Sequence, residues 1–278
     1  MAAILLGEAP RAIEFTTIEK LFEEIHRTAG DMLQVHGVSA QQFAAIDEAR
    51  GERSSPRFHH FDASSETLIM TITTPLHECL HQPLLYAIGD VISRMGLFNA
   101  WRPMGSPTLR APQNDSGGDG GEGDSSGGPK PERRGNAWPT LAIEAGYSQT
   151  LPGLRKKMRW WFAASDHQVK IVLLVKFQRE RDTRIIIEKH IEAAAQIRPG
   201  ATTTRAAAQL QPTCTQVITI TEDPSNPLSY NVTRGALRLE FHLLFLRQPR
   251  QGEGDVVISI QQLQEYAGDV WYTLMTSQ

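Results

Sequence analysis

Residues 138–177 read WPTLAIEAGYSQTLPGLRKKMRWWFAASDHQVKIVLLVKF, a strand–helix–strand pattern. Trp138–Gly146 alternates: Leu141 and Ile143 fall on one face, Ala142 and Glu144 on the other, which predicts a strand. Leu151–Phe162 has helical spacing, with Leu154, Met158, Trp161 and Phe162 on one side. Val169–Phe177 is an unbroken apolar run with lysines near its ends, the pattern of a strand buried on both faces. Two strands joined by a helix over this spacing predict a right-handed parallel crossover in an α/β domain. Glu144 does not fit a packing role. A carboxylate at the carboxyl end of a central strand is costly unless it is paired or binds a metal. Ligand sites of open α/β sheets gather at those strand ends. Lys170, Lys176 or a loop arginine would serve as an ordinary partner.

Outward from this unit, Thr74-Pro75 opens the clearest helix: Thr caps and Pro takes the first helical position. Leu76, Leu80, Leu84, Ile88, Ile92 and Met95 follow at steps of three and four before Gly96, predicting a core-facing helix. Upstream, Thr16-Thr17-Ile18-Glu19 has capping-box form and starts a helix ending near Gly30, and Ser39-Ala40-Gln41-Gln42 starts a shorter one. Residues 50–61 read as a loop and Glu66–Thr73 as a strand. Residues 1–60 are thus expected to form a helical N-terminal extension, with the main domain over 61–278. Within it, 111–136 is expected to be a flexible insertion, because its Gly, Ser and Asp residues bury little apolar area. Arg184–Ile191, Thr215–Thr221, Leu237–Leu246 and Asp255–Ile260 read as further strands, and Gln261–Met275 as a closing helix.

The chain of 278 residues carries a formal net charge of -3, which gives no global basic field toward nucleic acid or anionic membranes. A local basic groove is still compatible with that charge. Its two cysteines, Cys79 and Cys214, make neither a disulfide framework nor a zinc spacing, so a reducing compartment is expected. Neither a secretory leader nor a membrane span is predicted, and an intracellular setting, cytoplasmic or nuclear, follows as an expectation.

The ordered set Pro139, Glu144, Ser148, Lys157 and the Val169–Phe177 strand resembles the core of the PD-(D/E)XK nuclease-like superfamily. It is most similar to uncharacterised fungal proteins of that type and to a bacterial restriction-endonuclease family. The resemblance is closest over residues 138–177, extends back to the Thr74 helix, and does not reach the first 60 residues. It implies a restriction-endonuclease-like core, a mixed central sheet flanked by helices, that binds Mg²⁺ or Mn²⁺. The cation would be held by an Asp on a hairpin strand together with the Glu. A Lys would activate or orient the water that hydrolyses a DNA or RNA phosphodiester. Carried over by residue, Glu144 is the acid of the motif. Gly146 stands where the motif's Lys would be, and Lys157, on the following helix, takes its place. Asp124 fits the upstream acid best, with Asp119 and Asp115 as alternatives. Glu78, in the first turn of the Thr74 helix, is a third acid for the metal, although acids are favourable at that place in any helix.

Two other readings stand beside this one. A non-catalytic interaction module could keep the fold without the chemistry, since the adjacent lysine is missing and the upstream acid lies among glycines. His77-Glu78-x-x-His81 also satisfies a zinc-protease pattern. Trp160 and Trp161 read more as packing residues than as a platform for bases, with Trp161 packing inward and Trp160 placed to line a groove.

Overall fold

A computed structural model describes residues 11–28, 30–51, 56–111, 118–179, 183–194, 210–226 and 228–276. Asp115 lies outside the described residues. The chain runs β1 (Arg11–Glu14), α1 (Ile18–Arg27), β2 (Met32–His36), α2 (Ala40–Arg50), β3 (Arg57–Asp62), β4 (Thr67–Thr71) and α3 (Pro75–Arg94). Then come β5 (Trp101–Pro103), β6 (Leu109–Arg110), β7 (Gly120–Gly121), β8 (Ser125–Pro129), β9 (Leu141–Gly146), α4 (Leu151–Ala164) and β10 (Ile171–Gln178). It ends with β11 (Arg184–Ala194), β12 (Leu210–Glu222), β13 (Tyr230–Thr233), β14 (Leu237–Leu239), α5 (Phe241–Phe245), β15 (Val256–Ile258) and α6 (Ile260–Thr276). The fold is mixed α/β.

The central sheet has the order β13-β12-β11-β10-β9-β8-β5. β9 and β10 are parallel, with α4 crossing between them, and the other neighbours are antiparallel. Period-2 alternation divides the side chains of β9 and β10 between two cores. Leu141, Ile143, Ala145, Leu173 and Val175 pack in a cluster with Leu80, Leu84 and Ile88 of α3 and Leu263 and Val270 of α6. Ala142, Val172 and Leu174 pack in a second cluster with Leu154, Met158, Trp161 and Phe162 of α4. Glu144 shares the face of Ala142 and therefore looks toward α4. The cap of α3 forms as its sequence dictates: Thr74 Oγ1 accepts from the His77 N–H at 3.2 Å.

The N-terminal region departs from the helical extension expected. It forms a second sheet of order β1-β2-β4-β3-β7-β6, with β1 and β2 parallel across α1. Phe43 and Ile46 of α2, Leu21 and Ile25 of α1, and Leu33, Val35, Phe58 and Phe61 of the strands share its core. Arg57–Asp62 is strand rather than loop because Phe58 and Phe61 are fully buried there, however polar their neighbours look. α1 is capped by Thr17, not Thr16, and Ser39 forms the full capping box with Gln42.

The flexible insertion is corrected as well. From residue 118 on it belongs to both sheets, β7 in one and β8 in the other. Ser125 to Pro129 are all buried. The glycines are there because neighbouring aromatic rings lie directly on the backbone. A Cβ on Gly127 would sit 2.5 Å from Trp101 Cζ2, and one on Gly120 would sit 2.8 Å from Phe43 Cε1. Leu237–Leu246 divides into β14 and α5, since Phe241, Leu244 and Phe245 turn inward at helical spacing.

Candidate active site

β8 and β9 pair antiparallel with Ser125 opposite Ile143 and Ser126 opposite Ala142. Continuing that register by one residue sets Asp124 across from Glu144. The Asp124 carboxylate accepts the backbone N–H of Ala145 at 2.7 Å. The strand pair thus brings the two acids to one end of the central sheet. α4 supplies the floor: Trp161 Nε1 donates to Glu144 Oε1 at 2.5 Å, and Lys157 Nζ lies 3.9 Å from the same oxygen. Lys157 also donates to the Glu122 carbonyl at 2.9 Å. Gly121 gives it room, since a Cβ there would lie 3.0 Å from Nζ.

Other elements close the site. β3 contributes His59, whose Nδ1 is 3.8 Å from Glu144 Oε2 and whose Nε2 is 2.7 Å from Gln149 Nε2. β3 also contributes Arg57, with Nη1 3.5 Å from Asp124 Oδ1 and Nη2 3.0 Å from Glu78. From α3, His77 Nε2 approaches Asp124 Oδ2 at 3.4 Å, and His81 Nδ1 pairs with Ser125 Oγ at 2.8 Å. Asp124, Glu144 and Lys157 are only 5%, 0% and 2% exposed. A cavity of about 630 Å³, lined among others by Asp47, Arg50, Arg57, Thr108 and Glu122, opens on the Arg57 side.

The two acids are driven apart electrostatically. Burial raises the pKa of Glu144 to about 8, helped by the neighbouring charge of Asp124 and opposed by Lys157 and the Trp161 hydrogen bond. Burial also opposes ionisation of Asp124. There, however, the charge and hydrogen bond of His77, with His81 and Arg57, prevail and hold the carboxyl below the ordinary range. Burial works against protonation of His77, but Asp124 and Glu78 outweigh it and raise its pKa to about 10. Lys157 is lowered, chiefly by burial, and His59 falls well below its ordinary value through burial and the charge of Lys157. Glu144 Oε2 is buried and has no hydrogen-bond partner among the described residues. An acceptor left unpaired at that depth costs about 1–3 kcal/mol, more if it is charged. A hard cation suits such an oxygen, and a carboxylate pair is its usual donor set.

Of the residues singled out from sequence, Asp124, Glu144 and Lys157 come together, and Glu78 joins them through His77 and Arg57. Asp119 does not, because its carboxylate caps the Ala63 N–H at 3.0 Å. Neither Lys170 nor Lys176 pairs with Glu144: Lys170 donates to the His167 carbonyl and Lys176 to that of Tyr147. Trp160 and Trp161 are both buried and pack edge-on against Trp138, so they offer no open face to a base. His77, Glu78 and His81 can each bring one ligand atom within 4.8 Å of the others. Arg57 already stands there, with Nη1 3.2 Å from His81 Nε2, and so takes the one lone pair that this nitrogen would give a zinc ion. Sequence reading missed His59 and Arg57. The Arg57-Phe-His-His-Phe61 string was the only signal, an alternation of bulky residues inside an apparently polar loop. Compared with known protein families and with curated proteins, the chain matches none.

Proposed function

We propose that the protein is a metal-dependent nuclease of the PD-(D/E)XK type that hydrolyses phosphodiester bonds of DNA or RNA. One observation carries the reading: the β8–β9 register, continued by one residue, sets Asp124 across from Glu144, Lys157 Nζ lies 3.9 Å from the Glu144 carboxylate, and Glu144 Oε2 has no hydrogen-bond partner among the described residues. The sheet order β5-β8-β9-β10, with α3 before it and α4 between its parallel strands, agrees with the core that the resemblance implies. Asp124 and Glu144 would hold Mg²⁺ or Mn²⁺, with Glu78, which pairs with the same Arg57 as Asp124, as a third acid. Such a cation lowers the pKa of bound water and neutralises charge on a phosphodiester. The chain's own groups do the rest. Trp161 fixes the Glu144 carboxylate, Arg57 and His77 hold Asp124 ionised, and Lys157 offers an N–H donor beside the acids for orienting a water.

The test is cleavage of single- and double-stranded DNA and RNA in Mg²⁺ or Mn²⁺, by wild type and by Glu144→Ala and Lys157→Met. Loss of activity by on the order of a hundredfold or more in both variants is expected. Equal activity in all three, or none in wild type across these substrates, rejects the catalytic reading. The burial of all three residues favours the second reading, a non-catalytic interaction module on the same fold. That module would be folded and inactive in every arm.

A further inference from the structure

On the far side of α4, β11 and β12 hold a second group of chemically able side chains. Glu188, His190 and Cys214 can each bring one ligand atom within 4.8 Å of the other two. A β-bulge brings them to one face. Lys189 pairs with Gln216, but His190 pairs with Cys214, so Thr215 is the extra residue in β12. Without it, His190 would face a threonine. With it, the thiol stands directly across from the imidazole, and Glu188 follows two residues away on the same face. Bulges commonly re-aim a side chain in this way.

The three side chains differ in the contacts they make. Glu188 is buried and gripped at both oxygens by Arg155 of α4, whose Nε lies 3.0 Å from Oε2 and whose Nη2 lies 2.5 Å from Oε1. His190 is also buried: its Nε2 is 2.9 Å from Glu188 Oε2, and its Nδ1 is buried without a hydrogen-bond partner among the described residues. Cys214 is exposed and not in a disulfide. Carboxylate, imidazole and thiolate together are a donor set for a borderline-soft cation and a poor one for Mg²⁺. Tetrahedral zinc takes ligands at about 2.0–2.3 Å, so these groups need only a small inward movement. Arg155 would serve as the outer partner that keeps the carboxylate aimed.

We propose that Glu188, His190 and Cys214 form a Zn²⁺ site with three protein ligands and a fourth position open to solvent beside Cys214. The site is separate from Asp124 and Glu144 and does not depend on their role. It ties the β11–β12 pair, through Arg155, to the helix that carries Lys157.

Co²⁺ added to the chelator-treated full chain is the probe, because a cobalt–thiolate bond gives a near-ultraviolet charge-transfer band. The band is expected in wild type and in Cys79→Ser, saturating at one ion per chain, and is lost in Cys214→Ser and in His190→Gln. Zn²⁺ should abolish it by competition. Cys214 is on the surface, so Cys214→Ser should melt as the metal-free wild type does, which separates loss of binding from loss of fold. No band in wild type, or a band that survives Cys214→Ser, overturns the proposal.

Discussion

Replacing Glu144 by glutamine should change how stability depends on pH more than it changes stability itself. In the folded chain without a bound cation the pKa of Glu144 is raised from 4.5 to about 8, first by burial and then by Asp124, against Lys157, Trp161 and His77. Between those values the folded state holds a proton that the unfolded chain has released. The sign follows: this contribution to stability is complete below the unfolded pKa and is lost as pH rises through the folded one. At 1.36 kcal/mol per pH unit the interval from 4.5 to about 8 corresponds to a ceiling of about 5 kcal/mol. Relaxation and water penetration around a buried ion reduce the real figure to a few kcal/mol. Glutamine keeps the shape and the acceptor for Trp161, and it cannot ionise. Urea unfolding of both proteins at about pH 5.5 and about pH 8.5 gives the comparison. Wild type should lose a few kcal/mol relative to Glu144→Gln between the two pH values. A difference between the proteins that is the same at both would refute the assignment of a protonated, buried carboxyl.

Three further outcomes follow from the packing. Gly127→Ala should destabilise by about 1–3 kcal/mol in urea unfolding, because the new Cβ meets the Trp101 ring at 2.5 Å. Arg50→Met should cost about 3–5 kcal/mol, since Glu122, with a side chain 1% exposed, loses the guanidinium 2.7 Å away. Trp161→Phe should cost about 1–3 kcal/mol in the same measurement, because the buried Glu144 Oε1 would lose the indole N–H that donates to it.

The legible parts of the sequence were those where one periodicity and one cap agree. The α3 helix is set by Thr74, Pro75 and an apolar stripe, and the β9–α4–β10 unit by alternation, spacing and an apolar run. Glu144 stood out because a carboxylate inside such a strand needs a reason. What stayed hidden depended on contacts between segments distant in sequence. Gly120 and Gly127 look like chain without a core, until Phe43 and Trp101 are seen to fill the space that their missing side chains leave. Arg57 and His59 look solvated in sequence, yet the sheet places both beside the acids. Lys157 sits among Arg155, Lys156 and Arg159 and reads as one more surface charge. Only the fold separates it, turning it inward to Glu144 and the Glu122 carbonyl. Asp124 was the most favoured of several loop acids, and strand register is what distinguishes it from Asp119.

The most direct measurement is Mn²⁺ binding followed by the electron paramagnetic resonance signal of the free ion, which is lost on binding. It should be made in a Cys214→Ser background, so that the β11–β12 group is silent, and compared with Asp124→Asn and Glu144→Gln in that background. The expected result is one bound ion per chain, absent from both carboxylate variants. A chain that leaves the Mn²⁺ signal untouched, or variants that bind as the parent does, would contradict a shared cation at Asp124 and Glu144.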